Sequence, residues 1–244
     1  MSALDRPLIG TMVLALGIVA GGYFAGSGFV RAKQAERYVT VKGVAEQEAK
    51  ANLAIWPLRV IAADNDLATA NAHLQMSVRR IQAFLGRHGV DTTQLTLQEF
   101  AVRDGQADQY NSNRTGPRYV ITQTLLVRST QPETVAAASQ KVSELVSEGV
   151  VLSSGEQYGS GGPTFVFTGL NKLKPAMIAQ ATARAREAAQ QFAQDAGSAL
   201  GGIRQANQGY FEILPRDQAQ GIQEASQMNK VVRVVATVEY LLKD

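Results

Sequence analysis

Between Pro7 and Arg31 run 23 residues, Leu8 to Val30, without one charged side chain. No other stretch restricts the fold so strongly, because at about 1.5 Å per helical residue such a run crosses a hydrocarbon core of roughly 30 Å. The run predicts a retained single-pass helix in the inner membrane, with 1–7 a short cytoplasmic tail, 8–30 the anchor and 31–37 a charged tether. A cleaved signal peptide is the competing reading. Leu8 to Ala20 alone has the length of an export signal's apolar core, and Ala25 with Ser27, or Gly26 with Gly28, offers a small-x-small cleavage site. Inside the run, Gly17 with Gly21 and Gly22 with Gly26 recur at i, i+4, the spacing that lets two membrane helices approach closely. Flanking cations number one before the run (Arg6) and three after it (Arg31, Lys33, Arg37), which by charge alone favours a cytoplasmic domain. Large domains translocate despite such flanks.

Residues 31–244 suffice for one large domain or two small ones. The net charge of +3 comes from scattered, mixed signs, with no basic block and no aromatic run among the cations, so nucleic acid is not an expected partner. The absence of cysteine excludes disulfides and a thiol nucleophile and leaves the compartment open.

Hydrophobic periodicity orders the rest. "YVTVKG", 38–43, alternates as a short strand ending at a glycine turn, and "ANLAIWPLRVIA" puts Trp56, Leu58 and Val60 on one side of a strand that Pro57 marks as an edge or a bulge. Leu67, Leu74, Val78, Ile81 and Leu85 fall at helical spacing between Asn65 and Gly86. In "LTLQEFAV" the apolar phase slips between Leu97 and Phe100, which predicts a bulge near Gln98 or Glu99. A polar loop, 103–118, leads to the strand "YVITQTLLV", then a helix from Pro132 through Leu145 closing at Gly149, then the linker "SSGEQYGSGGP". "TFVFTGL" reads as a strand, Lys174 to Leu200 as an alanine-rich helix with Pro175 in its first turn and Gly201 and Gly202 ending it. Two strands close the chain around a polar stretch, Leu214 to Asn229, the last with Val232, Val234, Ala236, Val238 and Tyr240 on one face.

The order strand, helix, glycine, strand, long polar loop, strand occurs in 51–129 and again in 164–242, with the helix 132–148 between. The fold class that follows is α+β: two duplicated β-α-β-β units sharing one sheet system, largely antiparallel, helices on one face, the whole domain spanning 38–244 behind the anchor. Duplication places the loops 103–118 and 214–229 at equivalent ends, and their polarity makes them candidate assembly surfaces through Asp108, Tyr110, Asn111, Arg114, Arg216 and Asp217.

The stretches "VTVKGVAEQEAKANLAIWPLRV", "FLGRHGVDTTQLTLQEF", "YVITQTLLVR" and "AMIAQATARAREAAQQFAQDAGSALGG" resemble the SIMPL-domain family of bacterial cell-envelope proteins, from Tyr38 to Leu242. The resemblance implies a periplasm-facing protein without known enzymatic chemistry, linked to envelope or oxidative-stress tolerance and assembling into large, ring-like homo-oligomers.

Chemistry-bearing residues give no catalytic, cofactor or metal assignment. His73 and His88 are too far apart along a helix to share a metal and read as surface or cap residues. Asp64 and Asp66 precede a helix and read as caps. "GSGGP" lacks the strand, Lys and Ser or Thr of a phosphate loop and reads as linker. Trp56 reads as core. The function expected is a non-enzymatic, membrane-anchored assembly module. The alternatives are an enzyme with an unrecognised carboxylate site and a pore-like ring, for which the span offers only Thr11 and Ser27 as polar residues.

Overall fold

A computed structural model describes residues 15–24, 26–27, 37–107, 116–153 and 161–243. The elements in order are β1 (Tyr38–Lys50), β2 (Leu53–Asp64), α1 (Leu67–Arg87), β3 (Thr96–Asp104), β4 (Tyr119–Ser129), α2 (Pro132–Ser139), α3 (Ser143–Ser147), β5 (Thr164–Val166), α4 (Leu170–Asp195), β6 (Ala199–Pro215), a short 3-10 turn (Glu224–Ser226) and β7 (Asn229–Lys243). The mixed α+β class is the one the periodicity gave. The chain divides into two compact units, a first one of Met1–Ala45, Ala176–Tyr210 and Val234–Asp244 and a second of Glu46–Pro175 and Phe211–Arg233.

Among the described residues no helix is long and apolar enough to cross a membrane. The described part of 8–30 is helical over 15–24 and 26–27; the remainder of the expected span, with the tail 1–7 and most of the tether, lies outside the described residues.

The element order β2-α1-β3-β4 does recur as β5-α4-β6-β7, but the strands form two sheets, not one shared system, in the orders β3-β4-β2-β5 and β1-β7-β6. β1 holds the place beside β7 that β2 holds beside β4. The reason lies in strand length. β5 has three residues and ends where the Asn52 side-chain oxygen accepts the Thr168 backbone N–H at 2.9 Å, just before α4 begins, so it cannot pair along the 15 residues of β7. It pairs instead with Leu53–Ile55 of β2.

In the second unit β2 is interior, paired with β4 in unbroken antiparallel register from Ala54↔Ser129 to Asp64↔Tyr119. Pro57 is tolerated because its missing donor falls in a gap on the other side. Pairing with β5 ends at Ile55, and Arg59 O and Ile61 N, which share the parity of Pro57, are bonded to Ser153 N and Val151 O at 2.9 and 3.0 Å. Trp56, Leu58, Val60 and Ala62 point into the core with Ile121, Leu125 and Val127 of β4, and α1 covers them with Leu74, Val78, Ile81, Phe84 and Leu85. That helix starts where the sequence placed it: Asp66 is the N-cap, its carboxylate accepting the Thr69 N–H at 2.8 Å, which holds the Asp66 carboxyl below the usual carboxylate range. The expected helix through Leu145 is broken into α2 and α3, because 3-10-type bonds from Lys141 N to Ala138 O and Val142 N to Ser139 O tighten the chain between them.

In the first unit Val41 of β1, Val238 and Tyr240 of β7, and Ala185 and Ala189 of α4 make the core, with Val39, Ala188 and Leu200 packed on it. Gly43 does not end a strand; β1 runs through it to Lys50. A Cβ there would lie 1.9 Å from Ala181 O and 2.5 Å from Ala185 N, so the glycine is what lets helix backbone and strand backbone touch. The Arg184 guanidinium seals the contact by donating to Val44 O at 2.8 Å. α4 begins earlier than expected, at Leu170, with Pro175 inside it, and ends at Asp195 before Gly197 at φ 64; Gly201 and Gly202 belong to β6.

Candidate assembly surface

The bulge anticipated in "LTLQEFAV" is present. Register between β3 and β4 shifts at Gln98/Phe100, and Glu99 takes φ 44 while the Thr124 hydroxyl donates to its carboxylate at 3.2 Å. Its effect is to cancel the phase slip. Leu97, Phe100 and Val102 now stand opposite Leu125, Gln123 and Ile121, which all point toward the core, so the three apolar side chains lie on the helix-covered face of the sheet. α1 packs over β2 and β4, however, and β3 extends beyond it at the edge. Leu97, Phe100 and Val102 remain 57, 56 and 47% exposed, an apolar continuation of the core that no described residue covers.

The two polar loops are anchored in the second unit at opposite ends of β2. Arg118 closes the base of 103–118: its guanidinium donates to both Asp104 carboxylate oxygens at 3.2 and 3.1 Å and its backbone N–H to Asn65 Oδ1 at 3.0 Å, just past the end of β2. The Arg118 bond holds the Asp104 carboxyl below its ordinary range. The other loop meets the start of β2, where Ala51 N donates to Met228 O at 2.8 Å. A strand of 12 residues separates the two anchors, roughly 40 Å at the usual rise.

Of the candidate loop residues, Asp108, Tyr110, Asn111 and Arg114 lie outside the described residues. Arg216 and Asp217 are exposed and paired to each other at 3.1 Å, and the Gln227 amide bridges the loop, accepting from Asp217 N at 3.1 Å and donating to Asp217 O at 2.8 Å. Sequence reasoning missed what holds this loop from below. Lys230 on β7 is completely buried, and its ammonium donates to Glu224 O at 2.7 Å and to the Glu224 carboxylate. The alternation that puts Val232 and Val234 on the core face puts Lys230 there too, but the residue type conceals it and no spacing pointed to Glu224 as its partner. Glu224→Ala should lower stability by about 2 kcal/mol, less than a fully buried pair would lose because the glutamate faces solvent and the carbonyl contact survives. Lys230→Met should cost less than Glu224→Ala, since it removes the stranded charge instead of leaving it. Denaturant midpoints decide the order, and a fully stable Glu224→Ala chain would show the pair to be idle.

His88 is the C-cap of α1 and its Nε2 lies 3.0 Å from Glu144 Oε2, with the ring edge-on to Phe84 at 4.6 Å between centroids. That bond holds the Glu144 carboxyl below its ordinary range. His73 is exposed. Among the described residues no three His, Asp or Glu are grouped to hold a metal. At Gly17, Gly21, Gly22 and Gly26 an added Cβ would meet nothing within 4 Å.

Two sheets with helices packed on them, an apolar sheet edge and two polar loops anchored at their bases define an α+β fold. The sequence from 39 to 240 matches the SIMPL family, described as "Protein of unknown function (DUF541)", and the chain belongs to that family. No match is found among curated proteins. Among solved structures, the crystal structure of an uncharacterized conserved protein from Listeria innocua is similar at 13% identity over 78% of this chain and 90% of that one, with a TM-score of 0.22.

Proposed function

We propose that this SIMPL protein is a non-enzymatic assembly module, held on the periplasmic side of the inner membrane by residues 8–30, whose copies associate into a large ring-like homo-oligomer that supports envelope or oxidative-stress tolerance. The uncovered strip Leu97, Phe100 and Val102 carries the reading. It continues a core face past the edge of its helix, and a second copy of the same chain is the occupant that is always present at matching concentration. The Glu99 bulge twists the edge away from simple backbone pairing, which favours side-chain packing as the mode of contact. The uncharged run supports the anchor, and the open glycine positions Gly17, Gly21, Gly22 and Gly26 suit close approach of anchors from several copies. A ring gathering many anchors on one side makes the attachment multivalent.

The test uses full-length protein in detergent. Wild type should run as a large particle, and the combined Leu97→Lys, Phe100→Lys and Val102→Lys chain should fall to small species with an unchanged melting curve, since all three positions are already exposed. An unchanged particle mass overturns the assembly surface. Alkaline phosphatase fused after Asp244 should be active, and amino-terminal sequencing of the membrane fraction should find residue 1 or 2. An inactive fusion overturns the orientation, and a mature chain starting near Gly28 shows the run to be a cleaved signal.

A further inference from the structure

A second surface of the same unit is basic and shallow. Met76, Arg79, Arg80, Ala83 and Arg87 succeed one another along one side of α1 at helical spacing and, with Glu148 after α3, line a groove of about 540 Å³. Three guanidiniums face one carboxylate there. Arg87 is taken up by that carboxylate, at 2.5 Å from Glu148 Oε1. Arg79 and Arg80 have no hydrogen bond or ion pair among the described residues, although Arg80 is half-buried. Arg80 also has a seat made for it. Gly149, at φ 82, turns the chain after α3, and a Cβ at that position would meet Arg80 Nη1 at 3.3 Å, so the bare glycine leaves the guanidinium room against the turn. A half-buried cation without a counter-ion loses hydration and gains nothing from the protein in return, which leaves it available to an anion from outside.

We infer that this groove binds a phosphate group, monoester or diester, with Arg79 and Arg80 as its ligands and Arg87, fixed by Glu148, as the wall beside them. Guanidinium forks match phosphate oxygens in pairs, which a lysine at either position would not do. Met76 and Ala83 add exposed apolar surface beside the guanidiniums, suited to contact with the organic part of the ligand. Two sources carry that chemistry, a soluble phosphoester and an anionic phospholipid headgroup.

The experiment measures binding by full-length protein of inorganic phosphate, by calorimetry, and of phosphatidylglycerol vesicles against pure phosphatidylcholine vesicles, by co-flotation. Arg79→Gln with Arg80→Gln should weaken phosphate binding about ten-fold with the melting curve unchanged, because two charge-assisted contacts are lost from an exposed face. Arg80→Lys should fall between. Arg186→Gln, a guanidinium removed from the first unit instead, should leave binding intact. The uncharged amino-terminal run is common to every variant, so a difference between wild type and the double variant on phosphatidylglycerol vesicles reports the groove alone. Loss on vesicles and in calorimetry identifies a headgroup site, and loss in calorimetry alone identifies a soluble phosphoester. Wild type without saturable binding to either probe, a double variant that binds like wild type, or an Arg186→Gln chain that loses as much as the double variant overturns the site.

Discussion

Replacing Gly43 by alanine should cost the first unit about 3 kcal/mol, at the upper end of what an extra buried methyl group does to a packed core. The usual relief of overpacking, a neighbouring side chain changing rotamer, is closed here. The new Cβ would sit 1.9 Å from Ala181 O and 2.5 Å from Ala185 N, and both are helix backbone. To admit it, α4 must lift off β1, and the contacts of Ala185 and Ala189 with Val41 and Val238 go with it. The change should be local in its signature. Trp56, the one tryptophan of the chain, lies in the core of the second unit, so its fluorescence should stay native while amides of Ala181 to Ala189 lose exchange protection. Wild-type exchange at those amides would show that the strand and helix do not touch.

Trp56→Ala should be the most damaging change in the second unit, about 3–5 kcal/mol by the cost of emptying a buried aromatic site. Trp56 is 1% exposed and packed among residues of β2, β4 and α1. One term runs the other way. The indole Nε1 is buried without a hydrogen-bond partner among the described residues, so removing it also removes a desolvated donor. Trp56→Phe should therefore be much milder than Trp56→Ala, since it keeps most of the ring and discards the stranded N–H. Thermal unfolding followed by circular dichroism separates the two. Equal losses would mean that ring volume at this position is immaterial and that the core closes around the gap.

The loops and the edge strand show where the reading of a candidate surface stops. The phase slip between Leu97 and Phe100 was legible because a pleated strand alternates strictly, and only an extra residue reconciles two apolar runs of opposite parity. That the repaired face would then stand uncovered was not, since it depends on how far α1 reaches across the sheet. Arg216 and Asp217 were legible as exposed loop residues by polarity, and strand parity puts Lys230 on the core face, whereas its pairing with Glu224 was not legible, because a lysine in a strand carries no mark of which acceptor will receive it.

What the sequence by itself determined is what local periodicity and chain stereochemistry decide: the order of the strands and helices, though not the extent of β1, β5 and α4 or the break between α2 and α3, together with the Asp66 cap, a bulge at Gln98 or Glu99, the core face of β7 and the core position of Trp56. It also carries the uncharged run Leu8–Val30, whose composition is a fact of the chain. Only the tertiary structure decided partners. It put β5 beside β2 and β1 beside β7, made Gly43 a contact instead of a turn, let Pro57 sit inside a sheet by leaving a gap on its donor side, and brought Arg80 to the bare Gly149 turn. The division has one physical cause. Periodicity records which face of a segment avoids water, and many different neighbours satisfy that demand equally; which neighbour is chosen depends on strand lengths, close backbone approaches and the reach of a helix, quantities defined only between segments distant in the chain.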